Sequence, residues 1–341
     1  MRPSLAIAEG AVVVGFVLAV VGAASAGDLD PPAGPVGPTM KTLTQIEPRT
    51  PVDTLAGDAM FVHRITQPGS YYLTGDVTGA SGKTGIGIDA DNVTLDLNGF
   101  SLIGVSGSGS GVFVENNHTN VTIGNGTVRG WAGYGVCTVN AVGVRMYDLA
   151  VVGNTNYGIY ASAAQVTRCT AKGNGSIGIY AYNGSFVSDC TAYLNSSQGI
   201  SVSGGTTILH CAAAYNQGVG LVVSSRAAVY ESTATNNTSH GIGVYGSCVA
   251  ARNTAFDNGT GGDGAGIYVN YAGNRIEGNQ VLGNPRGIDV DAAGNVIVGN
   301  SAGWNTTNFD IVANNLAGTI VSTGAALNAA SNALVNFDMG S

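Results

Sequence analysis

A chain of 341 residues with 53 glycines and only 10% charged residues lacks the Leu, Glu and Lys frame of a helical protein; its small and β-branched residues favour strands and tight corners. The net charge is −8, and Lys and Arg never cluster. That balance argues against a nucleic-acid or anionic-membrane partner and for a neutral or cationic one.

Residues 1–26 read as a secretory signal peptide, with Arg2, an apolar run from Ala11 to Ala24 and the small-residue site Ala24-Ser25-Ala26. The run is short for a spanning helix, and Glu9 keeps an uncleaved anchor as the alternative. The mature chain carries no further membrane-length stretch, so the expected location is secreted, extracellular or periplasmic. Residues 27–60 hold Pro31, Pro32, Pro35, Pro38, Pro48 and Pro51 without apolar periodicity, as a linker or surface strap would.

From Phe61 strand formers begin, and from Gly158 to Asn258 one short pattern recurs. Gly158-Ile159, Gly178-Ile179, Gly199-Ile200, Gly220-Leu221 and Gly241-Ile242 open successive copies 20 or 21 residues apart. Asn174, Asn195, Asn216, Asn237 and Asn258 recur every 21 residues. Such a period marks a solenoid. Further starts fall at Gly85, Gly111, Gly135, Gly266, Gly287 and, degenerately, Asp310.

Aligning the copies exposes inward columns: the aliphatic residue after each glycine, then Val166, Val187, Ile208 and Val229, then Ala171, Ala192, Ala213, Ala234 and Ala255. Three short strands per copy with no room for a helix predict an all-β, right-handed, single-stranded parallel β-helix of about 10–11 coils of about 21 residues. It spans residues 61–318, with a C-terminal cap over 319–341. Leucine-rich repeats share the period but need a Leu framework, and a hexapeptide subperiod is missing. The Asn column reads as structural, satisfying corner backbone groups. Cys169, Cys190 and Cys211 form an inward column continued by Ser232, Asn253, Asn279 and Asn300. In-register strands hold such side chains too far apart for disulfides, so buried free thiols are expected.

Immediately before the Cys/Asn column runs an outward one: Arg168, Asp189, His210, Glu231, Arg252 and Glu277. Asp189 and Glu231, two coils apart, would stand about 9.6 Å from each other, near the separation of roughly 6.5–9.5 Å used by inverting glycosidases. With His210 between them they are the candidate catalytic set. The competing explanation is a solvated ladder of alternating charge. Candidate substrate-binding residues are Tyr160, Tyr180, Tyr182, Tyr245 and Tyr268, stacking platforms on the first strand, with Arg168 and Arg252. Asp289 and Asp291 are candidates for a hard cation such as calcium, although two carboxylates make a thin ligand set and no other cofactor is implied. His240 reads as a solvated turn residue.

The Gly-Ile starts, the Asn column and the segment Asp91-Asn92-Val93-Thr94-Leu95-Asp96-Leu97-Asn98-Gly99 together resemble the right-handed β-helix branch of the pectin-lyase-like superfamily, with its carbohydrate-binding and sugar-hydrolase type repeats. The resemblance implies an extended, often acidic glycan ligand and, for an enzyme, a polysaccharide lyase or glycoside hydrolase. The catalytic motifs of the family do not carry over. Asp-Asp is absent, only Ser239-His240-Gly241 approaches Gly-His-Gly, and Asn308-Phe309-Asp310 falls after it. The expected function is therefore a secreted protein that binds an extended polysaccharide along its lateral face, with cleavage or modification left open. The alternative is a non-catalytic structural or cell-surface solenoid. Nothing in the sequence speaks to oligomeric state.

Overall fold

The computed structural model describes residues 48–115, 117–322 and 334–340, so the predicted signal peptide and most of the proline-rich segment lie outside the described residues. What is described is a parallel β-solenoid. The first strand of every coil joins one 12-stranded sheet, and the second and third strands build a 24-stranded sheet. All pairings are parallel and in register, coil on coil: Ile159 pairs with Ile179, Ile179 with Ile200 and Ile200 with Leu221. The one helical turn among the described residues is Val52–Thr54. None of their helices is long and apolar enough to cross a membrane.

The predicted inward columns are the core. Ile159, Ile179, Ile200, Leu221 and Ile242 are fully buried, as are Val166, Val187, Ile208 and Val229 and the alanines from Ala171 to Ala234. Each Ile, Leu or Val buried this way contributes about 2 kcal/mol before conformational entropy is counted. Alanine on the third strand lets that wall approach the others.

The buried asparagines form a continuous chain through one corner. Asn195 Nδ2 donates to the Ala171 carbonyl of the preceding coil at 3.1 Å and to Asn216 Oδ1 of the next at 2.9 Å. Its backbone N–H also donates to Asn216 Oδ1, at 3.1 Å. Each asparagine thus ties three coils together. The glycine column exists because of this chain: a Cβ on Gly178 would stand 2.6 Å from Asn195 Nδ2 and 2.6 Å from the Gly199 carbonyl oxygen. The two marks that reveal the repeat are two sides of one close contact.

A second chain occupies the next corner, where Cys169 N–H meets Cys190 Sγ at 3.4 Å and Cys211 N–H meets Ser232 Oγ at 3.0 Å, before Asn253, Asn279 and Asn300 take over. All five cysteines are free and buried. A third chain, not foreseen, passes through Ser185 and Thr206 and, further on, Asn274 and Asn295.

Three details differ from expectation. The end of the segment expected as a linker or surface strap joins the sheet: Thr50–Pro51 pairs with Tyr71–Tyr72, and Val52 is fully buried in the core. Register places Phe309 against Ile288, so the last coil starts at Asn308 rather than Asp310. Glu277 pairs with Ala251, so Gly278, not Glu277, holds the position before the Asn279 ladder.

Replacing Asn216 by Ala strands several buried donors and acceptors, each worth about 1–3 kcal/mol. The urea midpoint of Asn216→Ala is expected to fall well below wild type, whereas Gln217→Ala, at the exposed position next to the ladder, leaves it almost unchanged. Equal effects would remove the ladder from the ledger of stability. Ellman's reagent is expected to leave the native thiols unreacted and to titrate all 5 after unfolding.

Candidate functional site

The charged column sits where the backbone turns. Arg168, Asp189, His210, Glu231 and Arg252 all adopt left-handed φ values of 49–57°. At this bend the side chain leaves the tube, so its identity is not set by packing. Asp148 belongs to the same column and binds Arg168 through two bonds of 2.8 and 2.9 Å. His210 Nε2 lies 3.0 Å from Glu231 Oε2, and Nδ1 lies 3.7 Å from Asp189 Oδ1. Arg252 donates to Glu231 Oε1 at 2.8 Å. The His210 and Arg252 contacts hold the Glu231 carboxyl below its usual range. The structure therefore brings Asp189, His210 and Glu231 together, on an exposed corner beyond the second strand, with their charges matched to neighbours.

The tyrosines lie elsewhere, on the outward face of the 12-stranded sheet. Register aligns Phe113, Cys137, Tyr160, Tyr180 and Ser201 in one outward column. Tyr160 and Tyr180 stack at 5.3 Å, Tyr182 lies 5.8 Å from Tyr160, and Tyr134 and Tyr157 close the group at 5.5 Å from Tyr160. Sequence reasoning missed Tyr134 and Tyr157, each the residue before a coil-start glycine, because strict alternation back from the inward Val136 and Ile159 would point them into the tube and only the corner turns them outward. The five rings make a half-buried aromatic platform. Burial and the neighbouring Tyr182 push the Tyr160 hydroxyl, at the centre of the group, up to about 12.

Further along the same face, Tyr245 folds over Gly243, where a Cβ would stand 2.5 Å from its hydroxyl. Beside it lies an open groove of about 800 Å³ lined by Ser224, Arg226, Tyr245, Ser247, Asn270 and Tyr271. Tyr271, another residue not singled out from sequence, is 59% exposed. The Tyr268 ring stacks on His240 at 4.3 Å, and its hydroxyl donates to Asp291 Oδ2 at 3.1 Å. His240 is thus no solvated turn residue. Its Nδ1 accepts the Ala265 N–H at 2.9 Å, and burial, with Arg286 nearby, lowers its basicity.

Asp289 follows Tyr268 in the column, with Asp310 next. It faces outward between the inward Ile288 and Val290, yet is only 1% exposed. Arg286 Nε approaches one oxygen at 2.9 Å outside hydrogen-bond geometry, and neither carboxylate oxygen receives a hydrogen bond. No three His, Cys, Asp or Glu side chains among the described residues are arranged to hold a metal ion. At the opposite end of the face, Arg64 binds Asp58, Asp89 and Glu115 at 2.7–2.9 Å.

Burial raises the Asp289 carboxyl from 3.8 to about 6, with Asp291 and Asp310 adding to the rise. Between those values the native chain retains a proton that the unfolded chain has released, so stability falls as pH rises through the window. Asp289→Asn is expected to raise the melting temperature at pH 7.5 and to leave it unchanged at pH 3.5. A variant no more stable than wild type at pH 7.5 would contradict this.

No curated protein matches the chain by sequence. Among solved structures, it is similar to the A-module of the mannuronan C-5 epimerase AlgE6 from Azotobacter vinelandii, at 14% identity, covering 80% of this chain and 91% of that one with a TM-score of 0.53. It is also similar to the periplasmic alginate epimerase AlgG, at 12% identity, covering 88% and 82% with a TM-score of 0.50. At these identities the likeness concerns the fold. The family model for the right-handed β-helix region matches residues 76–210 and 203–302. With these two matches spanning most of the solenoid, the chain belongs to the right-handed β-helix family, in keeping with the pectin-lyase-like resemblance of its repeats.

Proposed function

We propose that this protein binds an extended polysaccharide laid across the coils on the outward face of its 12-stranded sheet. The observation that carries the reading is the platform of Tyr134, Tyr157, Tyr160, Tyr180 and Tyr182, five neighbouring rings on a surface that the tube does not need for its core. Tyrosine joins a flat apolar face, suited to the C–H face of a sugar ring, to a hydroxyl that exchanges hydrogen bonds with sugar hydroxyls. Sheet strands about 4.8 Å apart repeat this chemistry at regular intervals, as a polymer requires. The Tyr245–Tyr271 groove continues the surface toward the C-terminal coils. Both solved neighbours are named as alginate or mannuronan epimerases, which accords with a glycan ligand for this architecture.

The expected leader over residues 1–26 supports a location outside the cytosol, where such polymers occur. Asp189, His210 and Glu231 lie outside this surface on their paired corner, and in this reading their role is charge balance along the bend. The proposed activity is retention of the polymer.

Affinity electrophoresis through gels containing neutral, cationic or anionic polysaccharides tests the reading. Wild type is expected to be retarded by at least one of them. The double substitution Tyr160→Ala/Tyr180→Ala weakens that binding about tenfold or more, with an unchanged circular dichroism spectrum, while Tyr193→Ala on the third strand does not. No retardation in any gel would favour the structural solenoid instead.

A further inference from the structure

Resting on that binding reading, we infer that the polysaccharide carries free, protonated amino groups, and that the exposed Asp291 and Asp310, beside the buried Asp289 at the C-terminal end of the outward face, meet them. The carboxylates at this end outnumber the cations. Arg286 is the one arginine among them and is committed to Asp263 at 2.7 Å and to Asp289 at 2.9 Å. His240 has its Nδ1 occupied by the Ala265 N–H, which a second proton would displace. Asp291 and Asp310 are exposed and form no ion pair among the described residues; Asp291 receives only the Tyr268 hydroxyl.

Asp289 provides an independent observation. It is 99% removed from solvent, beneath this strip, and both of its oxygens lack a hydrogen-bond donor. With Arg286 as its ion-pair partner at 2.9 Å, it adds a buried acidic group beside the strip, whose charge a cation bound at Asp291 and Asp310 would offset. An ammonium group brings three donors and no acceptor. A divalent metal fits less well, because the carboxylates do not converge on a point. Asp289 and Asp310 lie on adjacent coils, about 4.8 Å apart along the tube, and Asp291 stands beside them on the same face. A strip of separated carboxylates suits a row of separate cations, as a polymer of amino sugars displays.

The surroundings supply the rest of a sugar site. Tyr268, stacked on His240, is a rigid aromatic wall beside the strip, and the Tyr245–Tyr271 groove adjoins it one coil earlier. A polyuronate would place its own carboxylates against Asp291 and Asp310, with the cations at the other end of the face already bound: Arg64 to three carboxylates, Lys83 to the Asp58 carbonyl. Arg226 at the groove rim does not reverse that balance.

Titration calorimetry with glucosamine polymers of stepped N-acetylation, at a pH where free amines are protonated, tests the inference, with alginate as the anionic arm. Affinity is expected to rise at least about tenfold from the fully acetylated to the fully deacetylated polymer. Asp291→Asn/Asp310→Asn is expected to abolish that gain while keeping the affinity for the acetylated form. Asp53→Asn/Asp257→Asn removes the same charge elsewhere and is expected to keep the gain. Equal binding of both polymers, preference for alginate, or equal losses in the two double variants would overturn the amine assignment while leaving glycan binding standing. No binding to any glucosamine polymer would also overturn the amine assignment, while the binding reading itself falls only if the polysaccharide gels show no retardation either.

Discussion

The structure depends on one close contact: the carboxamide of a buried asparagine pressed against a backbone that has no side chain. At the coil starts from Gly135 to Gly287 the glycine lets the Asn Nδ2 and the next coil's carbonyl approach to distances that a Cβ would forbid. The asparagine then hands its bonds to the coils on either side. Neither half works alone. A side chain at the glycine would force the corner open, and an apolar residue at the asparagine would leave buried carbonyls and N–H groups unpaired. The period of 21 residues is the length of chain needed to return to this contact.

That contact divides the surface into positions that packing dictates and positions that it leaves free. The left-handed bend before the second ladder is free, and there the chain places Asp148, Arg168, Asp189, His210, Glu231 and Arg252, then Gly278 and Gly299. Glycine follows charge in the same column, so the bend itself asks for no charge. The signs alternate because residues stacked on adjacent coils must neutralise or repel. The outward face of the first strand is free in a different way. Flat and regular, it collects five tyrosines over neighbouring coils and then, past Gly243, a strip of carboxylates.

The two ends of that face handle charge differently. Near the N-terminus, Arg64 gathers three carboxylates into one closed network. Near the C-terminus, Arg286 spans Asp263 and Asp289 and leaves Asp291 and Asp310 open to solvent, over a carboxylate that no donor satisfies. Unrelieved electrostatic cost on an otherwise regular scaffold is a common mark of a surface shaped for a ligand.

The sequence by itself determined the tube. Repeating columns of Ile, Ala and Asn have one physical meaning, because only stacking in register buries the first two and pairs the third; the same arithmetic placed Cys169, Cys190 and Cys211 inside as free thiols. It could not decide the site, because spacing says which residues share a column but not which columns face each other or how a side chain folds on its bend. Asp189, His210 and Glu231 looked like a reactive set in the sequence, and only the tertiary structure showed them on a separate corner from the tyrosines, with Arg252 completing the pairing. Tyr134 and Tyr157 precede their glycines and joined the aromatic platform only when neighbouring coils brought the rings within 5.6 Å. The burial of Asp289 likewise came from neighbours, Tyr268 and Asp310, on coils before and after it, since a carboxylate's cost depends on what surrounds it in space rather than in the chain.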